Sequence, residues 1–202
     1  MINEENELLN LITQMNDDER ADIISRFELV DYPKNSFLLE QGKVENYLYF
    51  IISGMVRVYT TTRNKESILF FRLENDYFSS FGSFVEGSPS ELSVQAIEDI
   101  SAMRISKENI TELYDKYHKI ERLGRIYTEN FLIETVNYYS KFLELTSEER
   151  YLYLYKNKKE YIKRIPIKYL STYLGIHPNS LSRIRRKIKI DDEENSSNSK
   201  PF

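Results

Sequence analysis

Two hydrophobic periods alternate along the chain. Over the first thirty residues Leu8, Leu9, Ile12 and Met15 recur at helical spacing. Asn16 then stands ahead of a second helical segment, DDERADIISRF, whose acidic start suits the positive end of a helix dipole. From about Val30 the period shortens. Residues 47–52 and 55–60 read as strands joined at Ser53-Gly54, and 67–73 as a third after the polar turn Arg63-Asn64-Lys65. Residues 92–97 and 101–105 read as two more. Between them SSFGSFVEGSPSE, residues 79–91, holds Gly82, Gly87 and Pro89 and reads as a loop or one short helical turn. Several short strands at this spacing predict a β-sandwich or barrel-like roll.

The helical period returns after Ile105. Ser106 is placed to cap KENITELYDKYH. A long helix follows over about 119–143, uninterrupted by proline, with Ile120, Leu123, Tyr127, Phe131, Glu134 and Tyr138 on one stripe and Ile126, Ile133 and Val136 beside it. A helix apolar on more than one flank buries one of them on the roll and the other on a second copy of the chain. Thr146 with Glu149 three residues on matches a capping box. Pro166 then opens a helix whose apolar face is Ile167, Leu170, Tyr173 and Leu174, and Gly175 ends it. His177-Pro178 opens the last helix. Its buried stripe is Leu181, Ile184 and Ile188, and its opposite face carries Asn179, Ser180, Arg183, Arg186 and Lys187. Helix, tight glycine turn, helix is the helix-turn-helix pattern. The polar stretch DDEENSSNSKPF, residues 191–202, is predicted to be a disordered tail.

Charge sharpens this picture. Residues 156–190 hold eleven Lys or Arg against one acid, Glu160, within a chain of net charge −4. Such asymmetry points to a polyanion partner for one part of the molecule. A basic helix lying in the major groove sets its N-terminal side chains against base edges and its flanks near phosphates. Asn179, Ser180 and Arg183 are the candidate base readers, with His177 nearby. Arg185, Arg186 and Lys187 are candidates to contact phosphates or cap the helix end, and Lys168 to add a phosphate contact. The alternative from the same residues is a ligand-binding or protein-interaction module that does not act on DNA, with the basic helices as its docking surface.

Composition closes other routes. The chain has no cysteine, which excludes disulfides, Cys-ligated metals and thiol nucleophiles. It has only two histidines, His118 and His177, no Gly-rich phosphate loop ahead of a helix and no HExxH. An enzyme is not expected, nor a cofactor or metal. The N-terminus is acidic and amphipathic, and no apolar run reaches membrane-spanning length, so a cytoplasmic protein with no membrane partner is expected.

The sequence resembles the Crp/Fnr family of bacterial transcription regulators. GKVENYLYFIISGMVRVY, from Gly42, is similar to the family's β-roll signature, and NDYFSSFGSFVEGSPSELSVQAIED stands in place of its phosphate-binding cassette. LGIHPNSLSRIRRKI resembles its helix-turn-helix. The resemblance implies an α+β fold. Residues 1–118 would form a double-stranded β-helix, the jelly-roll-like cyclic nucleotide-binding domain, and 119–145 a dimerisation helix and hinge. Residues 146–190 would form a helix-turn-helix domain, lacking an obvious wing because DDEENSSNSKPF does not read as strands. It also implies a homodimer joined through the long helix, double-stranded DNA as partner, and RNA polymerase as a further one.

The departures are chemical. Nucleotide-binding members carry Gly-Glu-Leu near the start of the cassette and Arg-Ser or Arg-Thr near its end; here those positions read Ser79-Ser80-Phe81 and Ser90-Glu91. The arginine is lost and an acid is gained next to it, and a carboxylate beside a cyclic phosphate repels it. The chain is therefore expected not to bind cAMP or cGMP in the usual mode. Ser79, Ser80, Phe81, Ser90 and Glu91, with Thr135 on the long helix, remain as a candidate pocket for an unknown effector. In members activated by cAMP an Arg-Glu pair and a later Arg read bases; here the pair aligns with Pro178-Asn179 and only Arg183 is kept, so the operator does not transfer.

Overall fold

The computed structural model describes residues 14–198. Helix α1 (Asp17–Ser25) starts at Asn16, whose side chain accepts from the Glu19 amide while Glu19 reaches back, the reciprocal cap that its sequence offers. The strands are β1 (Glu28–Tyr32), β2 (Phe37–Leu39), β3 (Tyr47–Ser53), β4 (Val56–Thr62), β5 (Lys65–Arg72), β6 (Tyr77–Phe78), β7 (Ser93–Ala96) and β8 (Ile100–Ser106), with α2 (Phe81–Glu86) between β6 and β7. They make two four-stranded antiparallel sheets, ordered β1-β8-β3-β6 and β2-β7-β4-β5. Tyr49, Ile51, Val56, Val58, Ala96 and Ala102 fill the space between the sheets.

Local chemistry fixes the register. The β4–β5 hairpin pairs Thr62 with Lys65 and turns on Arg63 and Asn64, with φ of 51° and 61°. Two positive φ values in a two-residue loop give the twist that flanking strands need, and asparagine tolerates that conformation well. Gly54 sits at φ 93°, where a Cβ would meet the Asp99 carbonyl oxygen at 2.2 Å. Only glycine permits that approach. Strands β2 and β6 are too short to show an alternation, and β1 is largely exposed.

Beyond the roll come α3 (Lys107–Lys116), α4 (His118–Glu144), α5 (Ser147–Asn157), α6 (Lys159–Arg164), α7 (Ile167–Leu174) and α8 (Pro178–Asn198). Ser106 caps α3, and Thr146 caps α5 in a capping box with Glu149. Helix α8 corrects the expectation of a tail starting at residue 191: it continues to Asn198. No proline or glycine occurs between 179 and 198. A helix already nucleated by packed residues propagates until a breaker stops it. The expected helix at residues 8–12 and the end of the tail lie outside the described residues.

The C-terminal helices pack on the outer face of the β2-β7-β4-β5 sheet. Met55, Tyr59, Ile68 and Phe71 of the roll share one core with Leu154, Tyr161, Leu170, Tyr173, Leu174 and Leu181. This explains why Val56, Arg57, Val58 and Tyr59 are all buried: one face of β4 looks into the roll and the other lies under α7. Arg57 is held there by Glu66 and Gln95 and is sandwiched between the Tyr59 and Tyr169 rings, 4.0 and 4.2 Å from their centroids.

Candidate nucleic-acid interface and effector pocket

Helix α7 ends at Gly175, in the left-handed region at φ 70°. The Gly175 amide donates to Thr172 and the Ile176 amide to Ser171, so the last carbonyls of α7 are satisfied within the turn. Ile176 packs into the core, as its place in the turn suggests. The His177 Nδ1 accepts the Asn179 amide at 3.2 Å, an N-terminal cap for α8, and Pro178 is the first residue of the helix. Leu170, Leu174 and Leu181 are fully buried, and Ile188 nearly so. The stripe that faces α7 thus turns Asn179, Arg183, Arg186 and Lys187 outward, and all four are exposed, as is His177.

The structure divides the sequence-derived basic set. Arg183 is exposed, and its guanidinium donates to the Ser180 hydroxyl at 3.4 Å on its own helix. Arg186 and Lys168 are exposed, with the Lys168 ammonium 5.7 Å from the Tyr169 ring. Arg185 turns inward instead: its guanidinium donates at 2.6 Å to the Ile162 carbonyl, closing the end of α6. Lys187 makes a 3.0 Å ion pair with Glu148. Arg164, counted within the same basic run, is bound to Glu74 and Glu98 of the roll. Sequence spacing separates the faces of one helix, but it does not reveal which neighbouring element each face meets.

At the cassette Ser79, Ser80 and Ser90 are buried, and each hydroxyl is hydrogen-bonded within the roll. The Ser80 and Ser90 hydroxyls lie 2.8 Å apart, and the Ser79 hydroxyl donates to the Tyr47 carbonyl. Phe81 packs on Phe131 of α4 with ring centroids 5.4 Å apart. Glu91 is exposed. Thr135 does not join these residues; it lines a separate cavity between β5, α4, α5 and α7.

Glu45 is a functional candidate absent from the sequence reading. It is 2 % exposed beneath α2, where its Oε1 accepts the Tyr47 amide and its own amide donates to Ser83. Its Oε2 is buried with no hydrogen-bond partner of ordinary geometry among the described residues, and burial pushes the carboxyl up to about 7. Its position between a glycine turn and a strand reads as an exposed loop, so no signal in the sequence marks it.

Helix α4 leaves a second surface open. Leu132, Val136, Tyr139 and Leu143 are 61, 55, 37 and 81 % exposed, at spacings of four, three and four. That is the seam spacing of paired helices. Among the described residues no group of acidic and histidine side chains is arranged to hold a metal, and no helix is long and apolar enough to cross a membrane.

Residues 29–117 match the cyclic nucleotide-binding domain family. No curated protein sequence matches the chain. Among solved structures, the c-di-GMP-responsive global regulator CLP of Xanthomonas campestris superposes with a TM-score of 0.68 at 16 % identity, over 88 % of this chain and 93 % of that one. FixK2 of Bradyrhizobium japonicum gives 0.65 at 18 % identity, over 82 % and 86 %. A chain assigned to the Crp/Fnr regulators from Eubacterium rectale gives 0.68 at 14 % identity, over 90 % and 87 %. The roll matches that domain model over residues 29–117, and the chain shares the fold of these solved structures.

Proposed function

We propose that this chain is a homodimeric DNA-binding transcription regulator of the Crp/Fnr type whose cassette does not respond to cAMP. One observation carries the reading: α8 buries Leu181 and Ile188 and holds Asn179, Arg183 and Arg186 outward at the start of a helix framed by a glycine turn. Asn and Arg offer the bidentate donors that read adenine and guanine in the major groove. Arg186 and Lys168, flanking them, suit phosphates. Lys187 sits on the same face and is shared with Glu148, and Arg185 is a structural residue. The seam on α4 supports dimerisation, which a two-fold operator requires. RNA polymerase is the partner such a regulator would engage.

Two features support insensitivity to cyclic nucleotides. The Ser80 and Ser90 hydroxyls, which stand in place of the family's glutamate and arginine, bond to each other, and Glu91 adds a carboxylate beside the place a phosphate would take. The test is a gel-shift series against salt with the DNA upstream of the chain's own gene, with and without cAMP. Salt-sensitive, sequence-selective binding unchanged by cAMP is expected. Absence of binding at low salt defeats the proposal and favours a docking module that does not act on DNA.

A further inference from the structure

A cavity of about 290 Å³ lies where the roll, the long helix and the DNA-binding helices meet. Its walls are Phe71 of β5, Tyr138 of α4, Leu154 of α5, Tyr161 of α6 and Tyr173 of α7. Tyr161 and Tyr173 meet the Phe71 ring edge-on at 5.6 and 5.2 Å, and Tyr138 stacks on Tyr173 at 6.0 Å. Two polar atoms in this lining are buried without a hydrogen-bond partner of ordinary geometry: Arg72 Nε and the Tyr138 hydroxyl. Native proteins rarely leave buried donors unpaired, and two in one cavity signal a missing acceptor. The Arg72 guanidinium is steadied by the Phe70 and Phe131 rings at 5.0 and 4.9 Å, so it is held in place while its Nε–H is free. Lys158 and Glu134, both exposed, stand at the mouth. The volume sits at the small end of ligand pockets, which run roughly 300–1,000 Å³.

We infer that this junction cavity binds a small monocyclic aromatic carboxylate, with the acid group taken by Arg72 and Tyr138 and the ring packed against Tyr161 and Tyr173. The cationic Nε–H and the phenol O–H supply two donors to one anionic group, and the aromatic walls supply flat apolar surface. The bound acid touches every part whose relative placement sets the DNA-binding helices, and this regulatory role rests on the DNA-binding reading above. The cavity is separate from the cassette, whose serines do not line it.

The experiment is calorimetry on the full chain with benzoate, salicylate and 4-hydroxybenzoate, and with benzamide as the uncharged counterpart. At least one acid is expected to bind saturably, one per chain, with benzamide tenfold weaker or worse. Tyr138→Phe keeps the aromatic wall and removes only a hydroxyl whose neighbour is that of Tyr173, so it should stay folded with a melt close to the parent's yet bind the acid at least tenfold more weakly. Arg72→Lys, which keeps the charge and lacks the Nε–H, should do the same. No saturable binding of any of the three acids, or equal binding by Tyr138→Phe, overturns the assignment. A gel shift on the same samples is read separately. A change of at least threefold in duplex affinity on adding the acid, absent in Tyr138→Phe, is expected; an unchanged affinity overturns the coupling. If the parent binds the acid but no duplex at low salt, the DNA-binding reading fails while the cavity assignment stands.

Discussion

The Tyr161 hydroxyl on α6 donates a 2.9 Å hydrogen bond to the main-chain carbonyl of Phe71 on β5. The bond crosses from the C-terminal helices to the roll and is buried, with the phenol pushed up to about 12 by desolvation, so it stays a neutral donor at ordinary pH. One turn later Arg164 grips Glu74 at 2.7 and 2.8 Å and also binds Glu98. Glu74 in turn accepts the Gly54 amide at 2.8 Å. Two turns of the roll and one short helix are thus tied at a single arginine.

Arg164→Ala should loosen this joint while leaving the roll folded. Its bonds to carboxylates are charge-assisted and partly shielded, and the loss should be about 1–3 kcal/mol. Arg164 holds the Glu74 carboxyl down to about 2. A depressed carboxylate contributes stability above its ordinary pKa near 4.5, and that contribution fades as pH falls toward 2. Hydrogen exchange should show faster opening of α6 and α7 in the variant at pH 7, with β3 and β8 unchanged and the difference shrinking toward pH 2. Uniform loss across the chain would contradict a local joint.

Arg183 and Arg186 should separate by kind. Arg183→Ala is expected to lose about 1–3 kcal/mol on the preferred operator and little on random duplex. Arg186→Ala should weaken both and reduce the salt slope by about one. Arg185→Ala supplies the contrast: it removes the bond to the Ile162 carbonyl, so it should lower the melting temperature and leave the salt slope of the folded protein unchanged. Binding isotherms across a salt series, paired with thermal melts, check all three.

Particular residues show what the sequence displayed and what it hid. The glycine turn at Gly175, the stripe Leu181 to Ile188 and the caps at Asn16, Ser106 and Thr146 depend on near neighbours in the chain, and their patterns read through directly. The fates of Arg164, Arg185 and Lys187 depend on partners 90, 23 and 39 positions away. All three looked alike as members of one basic run. Thr135 was grouped with the cassette by its expected place on the long helix, yet the rotation of α4 on the roll sets it in the junction cavity. Glu45 was invisible because burial of a loop carboxylate is decided by α2 folding over it.

Glu45 should make stability fall with rising pH over a window set by its own titration. Its folded value of about 7 lies above the ordinary 4.5, so the folded state holds the proton more tightly. Stability is then greatest below pH 4.5, falls through the interval up to 7 and is flat beyond. Glu45→Gln keeps an acceptor for the Tyr47 amide and cannot ionise. The variant should melt higher than the parent at pH 8, by an amount on the order of 1–3 kcal/mol, and should lack the fall between pH 4.5 and 7. Thermal melts at pH 5 and pH 8 decide it, and parallel profiles for parent and variant would clear Glu45 of the effect.

The seam on α4 makes the last prediction. Leu132 and Val136 contribute nothing to their own chain's cores, and a helix face that leaves such groups in water gains by meeting its copy. Across a two-fold axis each substituted position meets its own equivalent, so one carboxylate per chain becomes a like-charged pair inside the seam. Leu132→Glu with Val136→Glu should therefore weaken self-association by at least about a hundredfold, close to 3 kcal/mol. The fold within each chain should survive, because the replaced side chains are exposed there. Sedimentation should show a monomer where the parent is a dimer, with an unchanged far-ultraviolet spectrum. Operator binding should drop steeply, because two half-sites are no longer bridged by one molecule, while the weak affinity for random duplex persists. A variant that remains dimeric would place the interface elsewhere and remove the seam's support for two-fold operator recognition.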